Sequence, residues 1–154
     1  MDSIRSCISF QASAASKVIA RLARLRLAPH GVTPIQFAVL QAVSESKGQT
    51  AADVGSSLMI DSATIVGVID RLAGMEFVVR EPDPQDRRIK RLSLTSQGAA
   101  ALPPMQTAMD DLNREIDGAL GPVAQDVRES LQRLADLSAE GTEAMPAEGG
   151  GRHG

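Results

Sequence analysis

The chain has 154 residues, of which 43% are hydrophobic and 23% charged; this suits one globular domain with its own core, excludes wholesale disorder, and contains no apolar run long enough for a bilayer. Three phenylalanines without tryptophan or tyrosine leave no stacking platform for single strands or RNA. The net charge of −3 does not exclude duplex DNA, because it is unevenly placed: residues 1–100 carry 12 Lys/Arg against 9 Asp/Glu, and residues 101–154 carry 4 against 10.

The first residues, MDSIRSCISF, have neither a continuous apolar segment nor a small-residue cleavage pattern, so a cytoplasmic protein is expected. Ile4, Ile8, Ala12, Ala15, Val18, Ile19, Leu22 and Leu25 recur at three- and four-residue spacing, which predicts one amphipathic helix over residues 3–28. Its stripe is longer than a small lobe needs and points to packing against a second subunit. Arg5, Lys17, Arg21, Arg24 and Arg26 lie opposite, as a solvated face.

Pro29-His30-Gly31 ends that helix, and Thr33-Pro34-Ile35-Gln36 opens the next with a capping box, Val32 and Phe37 closing over it as a staple. Phe37, Leu40 and Val43 are its expected buried face, and Lys47-Gly48 its stop. Thr50 caps a short helix over residues 51–58, in which Val54 and Leu58 face inward. Met59 and Ile60 form the turn, and Asp61 caps the following helix.

This pair is a helix-turn-helix. In its second helix Ile65, Val68, Ile69 and Leu72 mark the buried side, leaving Ser62, Ala63, Val66, Gly67 and Asp70 outside. A face of small side chains lets a helix sit deep in a groove, where Ser62 and Thr64 can meet base edges or phosphates and Ala63 or Val66 a thymine methyl. The same small residues also suit a merely solvated helix, so the hairpin that follows decides between the two.

Residues 77–81 alternate weakly and residues 89–95 clearly, which predicts two strands around Pro82-Asp83-Pro84-Gln85-Asp86-Arg87-Arg88. Two prolines and two aspartates favour a preshaped loop. Asp86 can pair with a neighbouring arginine, Arg88 is then free to enter a narrow minor groove, and Arg87, Lys90 and Arg91 can contact phosphates.

Thr95 caps a helix through Leu102, which Pro103-Pro104 is expected to interrupt or kink. Met105, Met109, Leu112 and Ile116 continue the stripe; Gly118, Gly121 and Pro122 break it. Val123, Val127, Leu131, Leu134 and Leu137 mark a last helix, and residues 140–154 read as a disordered tail.

These residues resemble the MarR (multiple antibiotic resistance regulator) family. DPQDRRIKRLSLTSQG over residues 83–98 is similar to that family's wing, and HGVTPIQFAVLQAV and TIVGVIDRL to its second and recognition helices. The resemblance covers residues 3 to about 139. It implies a mainly α fold with a small β-hairpin wing: a winged helix-turn-helix lobe at 33–98 with dimerisation helices at 3–28 and 104–139, in a single domain over 1–139.

It further implies a homodimer on a pseudo-palindromic operator in double-stranded DNA, usually a repressor released by a small molecule, often a phenol or aromatic acid. Ser62, Ala63, Thr64, Val66 and Gly67 would face the major groove. Arg88 would enter the minor groove, flanked by Arg87, Lys90 and Arg91, and Asp86 would brace the wing.

Two positions depart from the family pattern: Glu76 stands where a glycine is usual, and Pro103-Pro104 falls inside what is usually one long helix. Arg21, Arg24 and His30, beside the junction where the family's pocket forms, are the candidates for an anionic ligand, with Phe10 and Phe37 as pocket walls or core. Cys7 invites comparison with a redox-sensing branch, but the tyrosines that hold the thiolate there are missing, and a buried small residue on the helix face is the simpler reading.

An adaptor that kept the fold and lost DNA binding is the alternative from another class, and it would have no reason to keep the basic wing. No nucleophile and base pair, phosphate loop, HExxH or Cys/His cluster is present, so neither an enzyme nor a metal or cofactor is expected.

Overall fold

Three successive helices begin on side chains that satisfy their own first N–H groups. In the computed structural model, which describes residues 3–141, Thr33 and Gln36 form a reciprocal capping box at the start of α2 (Pro34–Glu45). Thr50 and Asp53 form a second at the start of α3 (Ala51–Ser57), and Asp61 accepts from the Thr64 backbone at the start of α4 (Ser62–Gly74). Each cap is worth about 1 kcal/mol and fixes where the chain turns into the helix.

Before them, residues 3–28 do not form one helix. Ser3 caps a 3-10 turn over Ile4–Ser6, Cys7 is extended, and α1 follows as Ile8–Leu27 with a second 3-10 turn at Ala28–His30. Only Ala23 and Leu27 of α1 are buried, whereas Ile8, Val18, Ile19 and Leu25 of its apolar stripe are exposed.

Contacts divide the chain after Leu112 into two units. The core of the first is built from Leu27 and Val32, from Val39, Leu40 and Val43 of α2, from Val54, and from Ile65, Val68, Ile69 and Leu72 of α4. The α4 positions are the four its spacing predicts. In α2 the expected Leu40 and Val43 are joined in the core by Val39, and Phe37 is half-buried against the cluster's margin. Fully burying one such aliphatic side chain contributes about 1.5–3 kcal/mol.

After α4 come β1 (Val78–Pro82) and β2 (Lys90–Leu94), antiparallel with Val78 opposite Leu94 and Pro82 opposite Lys90. Leu92 is buried beneath the hairpin, and its N–H donates to the Gln49 carbonyl at 2.8 Å, tying β2 to the turn between α2 and α3.

The next helix, α5 (Ser96–Leu120), continues through Pro103 and Pro104, so of the expected interruption or kink the interruption does not occur. The two missing N–H groups would have served the carbonyls of Ala99 and Ala100. Those residues and both prolines are exposed, so water can serve the carbonyls, while buried Leu102 and Met105 anchor the helix on either side.

In the second unit, α5 ends, a 3-10 turn spans Gly121–Val123, and α6 runs Ala124–Gly141. Arg128 is bound to Asp117 at 2.6 Å. Val123, Leu131, Leu134 and Leu137 are exposed. The expected tail at 140–154 begins inside α6, and residues 142–154 lie outside the described part. No single helix among the described residues is long and apolar enough to cross a membrane.

The exit from α4 is the tightest point of the fold. Glu76 has a left-handed backbone (φ 58°), its N–H bonded to the Ala73 carbonyl, and Thr95 Oγ1 donates to the Glu76 carbonyl. A Cβ on Gly98 would stand 2.1 Å from the Phe77 oxygen. Gly98→Ala therefore has to push apart the start of α5 and the entry to β1, and should lower unfolding free energy by about 1–3 kcal/mol in urea denaturation.

Glu76→Gly should act in the opposite direction. A left-handed L-residue costs about 1–2 kcal/mol, and the extra freedom glycine gives the unfolded chain offsets about 0.4–1 kcal/mol of that. The same urea titration should show the variant more stable than the parent.

Candidate nucleic-acid interface

The helix α4 presents its outer side as its inner side demands. With Ile65, Val68, Ile69 and Leu72 buried, Ser62, Ala63, Thr64 and Val66 are exposed and Gly67 is half-buried. The Thr64 hydroxyl donates to Asp61 Oδ2, so it is left with lone pairs to offer outward. That hydroxyl, and then the Thr64 N–H, hold the Asp61 carboxyl below its ordinary range and keep it ionised at the helix N-terminus.

Beyond β1 the wing loop is closed by two carboxylates. Asp83 Oδ1 accepts from the Gln85 and Asp86 N–H groups at 2.8 and 3.1 Å, and Asp86 Oδ1 accepts from the Arg88 N–H at 3.0 Å. Backbone bonds from Asp83 N to the Ile89 carbonyl and from Ile89 N to the Asp86 carbonyl complete it.

At this loop's tip the Arg88 side chain is 94% exposed, with its Nε 3.5 Å from Asp86 Oδ1. An ion pair that exposed contributes little to folding and is easily exchanged for another anion. Arg87 and Lys90 are also exposed.

Arg91 behaves differently from its neighbours. Its Nε donates to Asp83 Oδ2 at 2.6 Å and its Nη1 to the Gly48 carbonyl at 2.8 Å, so the group expected among the phosphate contacts is tethered to the lobe, with its side chain 42% exposed. The Arg91 guanidinium, followed by the Gln85 and Asp86 N–H groups, keeps the Asp83 carboxyl below its ordinary range. Asp83, nearly buried, is thus the principal brace of the loop, and Asp86 holds only its tip.

Sequence reading missed Asp83 in this role because its charged partner, Arg91, lies across the hairpin, and Arg91 is itself fixed by the Gly48 carbonyl 43 residues away. It also missed Arg80, whose guanidinium reaches Asp70 at 2.7 Å and links β1 to α4.

The residues proposed for a ligand are not gathered around one cavity. Arg21 and Arg24 are exposed on α1, Phe10 is exposed rather than core, and His30 and Phe37 are half-buried. A groove of about 540 Å³ opens behind the wing instead, between Val43, Lys47, Arg91, Leu94 and Ala99, and none of Arg21, Arg24, His30, Phe10 and Phe37 lines it.

Cys7 is not on a helix face. It precedes α1 in extended backbone, half-buried, with Sγ 3.0 Å from Ser9 Oγ. The Ser9 hydroxyl, and then the Phe10 and Ser9 N–H groups, draw its thiol pKa below the ordinary value.

A capped helix with a small outer face beside a braced basic hairpin is the arrangement a winged helix-turn-helix brings to duplex DNA. The MarR family model matches residues 32–90, which include α2, α3, α4 and the wing up to Lys90. The transcriptional regulator TtmR of Methylorubrum extorquens is 30% identical over 151 residues, 95% of this chain and 75% of TtmR. The transcriptional repressor NicR of Pseudomonas putida is 39% identical over 74 residues, 48% of this chain and 47% of NicR.

Among solved structures, the repressor CouR bound to a 23-mer DNA duplex superposes with a TM-score of 0.79 at 25% identity, covering 90% of this chain and 96% of that one. CouR of Rhodococcus jostii bound to p-coumaroyl-CoA superposes at 0.78, with 25% identity, 88% of this chain and 96% of that one. These relatives are regulators and not enzymes. The chain belongs to the MarR family of DNA-binding transcriptional regulators.

Proposed function

We propose that this protein is a homodimeric repressor that binds a pseudo-palindromic operator and is released by a small ligand. The observation that carries the DNA-binding geometry is Arg88, almost wholly exposed at the tip of a loop whose backbone is closed by Asp83 and Asp86. A guanidinium held out on a preshaped loop enters a narrow minor groove without first ordering the chain.

In this reading α4 lies in the major groove with Ser62, Ala63, Thr64, Val66 and Gly67 toward the bases, and Arg87 and Lys90 meet phosphates. The exposed apolar residues of α1 and of α6 support a second subunit there. Ile8, Val18, Ile19 and Leu25, and separately Leu131, Leu134 and Leu137, are large side chains that a lone chain leaves in water. Those helices would set the half-site spacing.

Repression is supported by NicR and CouR, both repressors by name, and release by a ligand by CouR, seen with p-coumaroyl-CoA. For this chain an aromatic or phenolic acid is proposed, met by Arg21, Arg24 and His30 with Phe37 as an apolar contact, while Phe10, near the far end of α1, would have to come from the second subunit. All five sit on α1, the turn after it, or α2.

The test is fluorescence anisotropy on the DNA upstream of the protein's own gene. Specific binding should weaken by about 10³-fold or more between 50 and 200 mM salt, as counterions compete for several phosphate contacts. Arg88→Ala should weaken binding about tenfold or more, chiefly at sites with A·T-rich flanks, with thermal unfolding unchanged. Binding that is neither specific nor salt-sensitive would overturn the proposal, and an unaltered affinity in Arg88→Ala would remove the role given to the wing tip.

A further inference from the structure

A two-stranded hairpin is marginal by itself, so the angle at which this wing is held depends on what ties it to the lobe. One tie is the pair Arg80 and Asp70, which joins β1 to α4. The other side is held by Arg91, whose two donors diverge: Nε to Asp83 Oδ2 inside the wing and Nη1 to the Gly48 carbonyl in the turn between α2 and α3. Next to it, Leu92 N–H bonds the Gln49 carbonyl, so two consecutive residues of β2 grip two consecutive residues of that turn.

The turn is shaped for this. Gly48 has φ +77°, a left-handed conformation, while a Cβ there would meet Arg91 Cδ only at an ordinary 3.6 Å. Glycine is therefore needed for the backbone path that carries the carbonyl to Arg91 and not for room. Asp83 serves both halves of the device: Oδ1 closes the loop that carries Arg88, and Oδ2 holds Arg91.

We infer that Asp83 and Arg91 are positioning residues for DNA binding, which set the angle at which the wing presents Arg88, and that Arg91 is not a phosphate contact. The inference rests on the reading of the wing as a DNA-binding element. It makes an unusual electrostatic demand, because Asp83 is an anion on a face that approaches a polyanion.

Charge alone predicts that Asp83→Asn tightens DNA binding. Loss of the brace predicts that it weakens binding, since affinity falls with the fraction of wings held at the competent angle. Arg91→Lys separates the roles again. It keeps the charge that a phosphate would need, but one ammonium cannot reproduce the two divergent bonds of the guanidinium.

Anisotropy titrations should be run on the operator bound by the wild-type protein, across a salt series, for Asp83→Asn, Arg91→Lys and the double variant. Each single variant should bind about tenfold more weakly, the double no more weakly than the worse single, and the salt slope should stay at the wild-type value. Hydrogen exchange should quicken at the Leu92 amide in both single variants and stay unchanged at Ile69 and Leu72, which shows a freed wing on a folded lobe.

Unchanged or tighter binding by Asp83→Asn, or wild-type affinity in Arg91→Lys, overturns the inference while leaving the function intact. A wild-type protein with no specific DNA binding overturns the function and the inference together.

Discussion

The backbone of Gly98 lies against the backbone of Phe77 with no space for a side chain between them, and the lobe is arranged around that contact. Four pieces of chain meet there. The Phe77 N–H bonds the Leu72 carbonyl at the end of α4; the Phe77 carbonyl accepts from Thr95 at the end of β2; and Thr95 Oγ1, donating to the Glu76 carbonyl, accepts in turn from the Gly98 N–H in the first turn of α5. Gln97 adds a bond to the Met75 carbonyl. Helix α4, both strands and the next helix thus share one hydrogen-bonded junction, which fixes α4 and the base of the wing and leaves the outer hairpin to its other ties.

A net acidic chain can still present a basic patch, because its charges are sorted locally. The wing needs only a few cations, provided that they are held where they act. Arg80 and Arg91 are each tied to a carboxylate, and Arg88, with Arg87 and Lys90, is left more exposed. Counting charges over the whole chain mixes guanidinium groups that hold the structure with those that face solvent. The local sorting, done by Asp70 and Asp83, is what decides which can reach a phosphate.

How much of this was legible in the sequence depended on the range of each interaction. Helix starts were legible because Thr33, Thr50 and Asp61 act on N–H groups two or three residues away, and the buried face of α4 because its period is local. The loop prolines and aspartates announced a tight turn for the same reason. The link from Arg91 to Gly48 was not legible, since nothing in the spacing says that β2 lies beside the turn after α2. Pro103 and Pro104 misled in another way: the rule about lost hydrogen bonds holds, but its penalty depends on whether the freed carbonyls are buried, and here the residues that carry them, Ala99 and Ala100, are exposed. Cys7 and Phe10 were judged by residue type, which favours burial, whereas one precedes α1 and the other lies on the side of it that the lone chain leaves open.

The outer side of α4 also constrains how DNA could be told apart by this protein. Of the five residues turned that way, Ala63, Val66 and Gly67 bring no hydrogen-bonding side chain, and the hydroxyl proton of Thr64 is already committed to Asp61. Ser62 alone keeps a free choice of donor and acceptor. Under the proposed reading, direct base recognition by α4 is then mostly a matter of fit, with methyl groups against thymine and backbone close to the groove floor, and hydrogen-bonded discrimination is sparse. Specificity has to be shared with a minor groove narrow enough for Arg88 and with the distance between half-sites. Both are geometric quantities, one set by the brace behind the wing and the other by the helices at the two ends of the chain. A ligand that altered either geometry would change operator binding without touching a base-contacting residue, and this places the sensitive points of regulation away from α4.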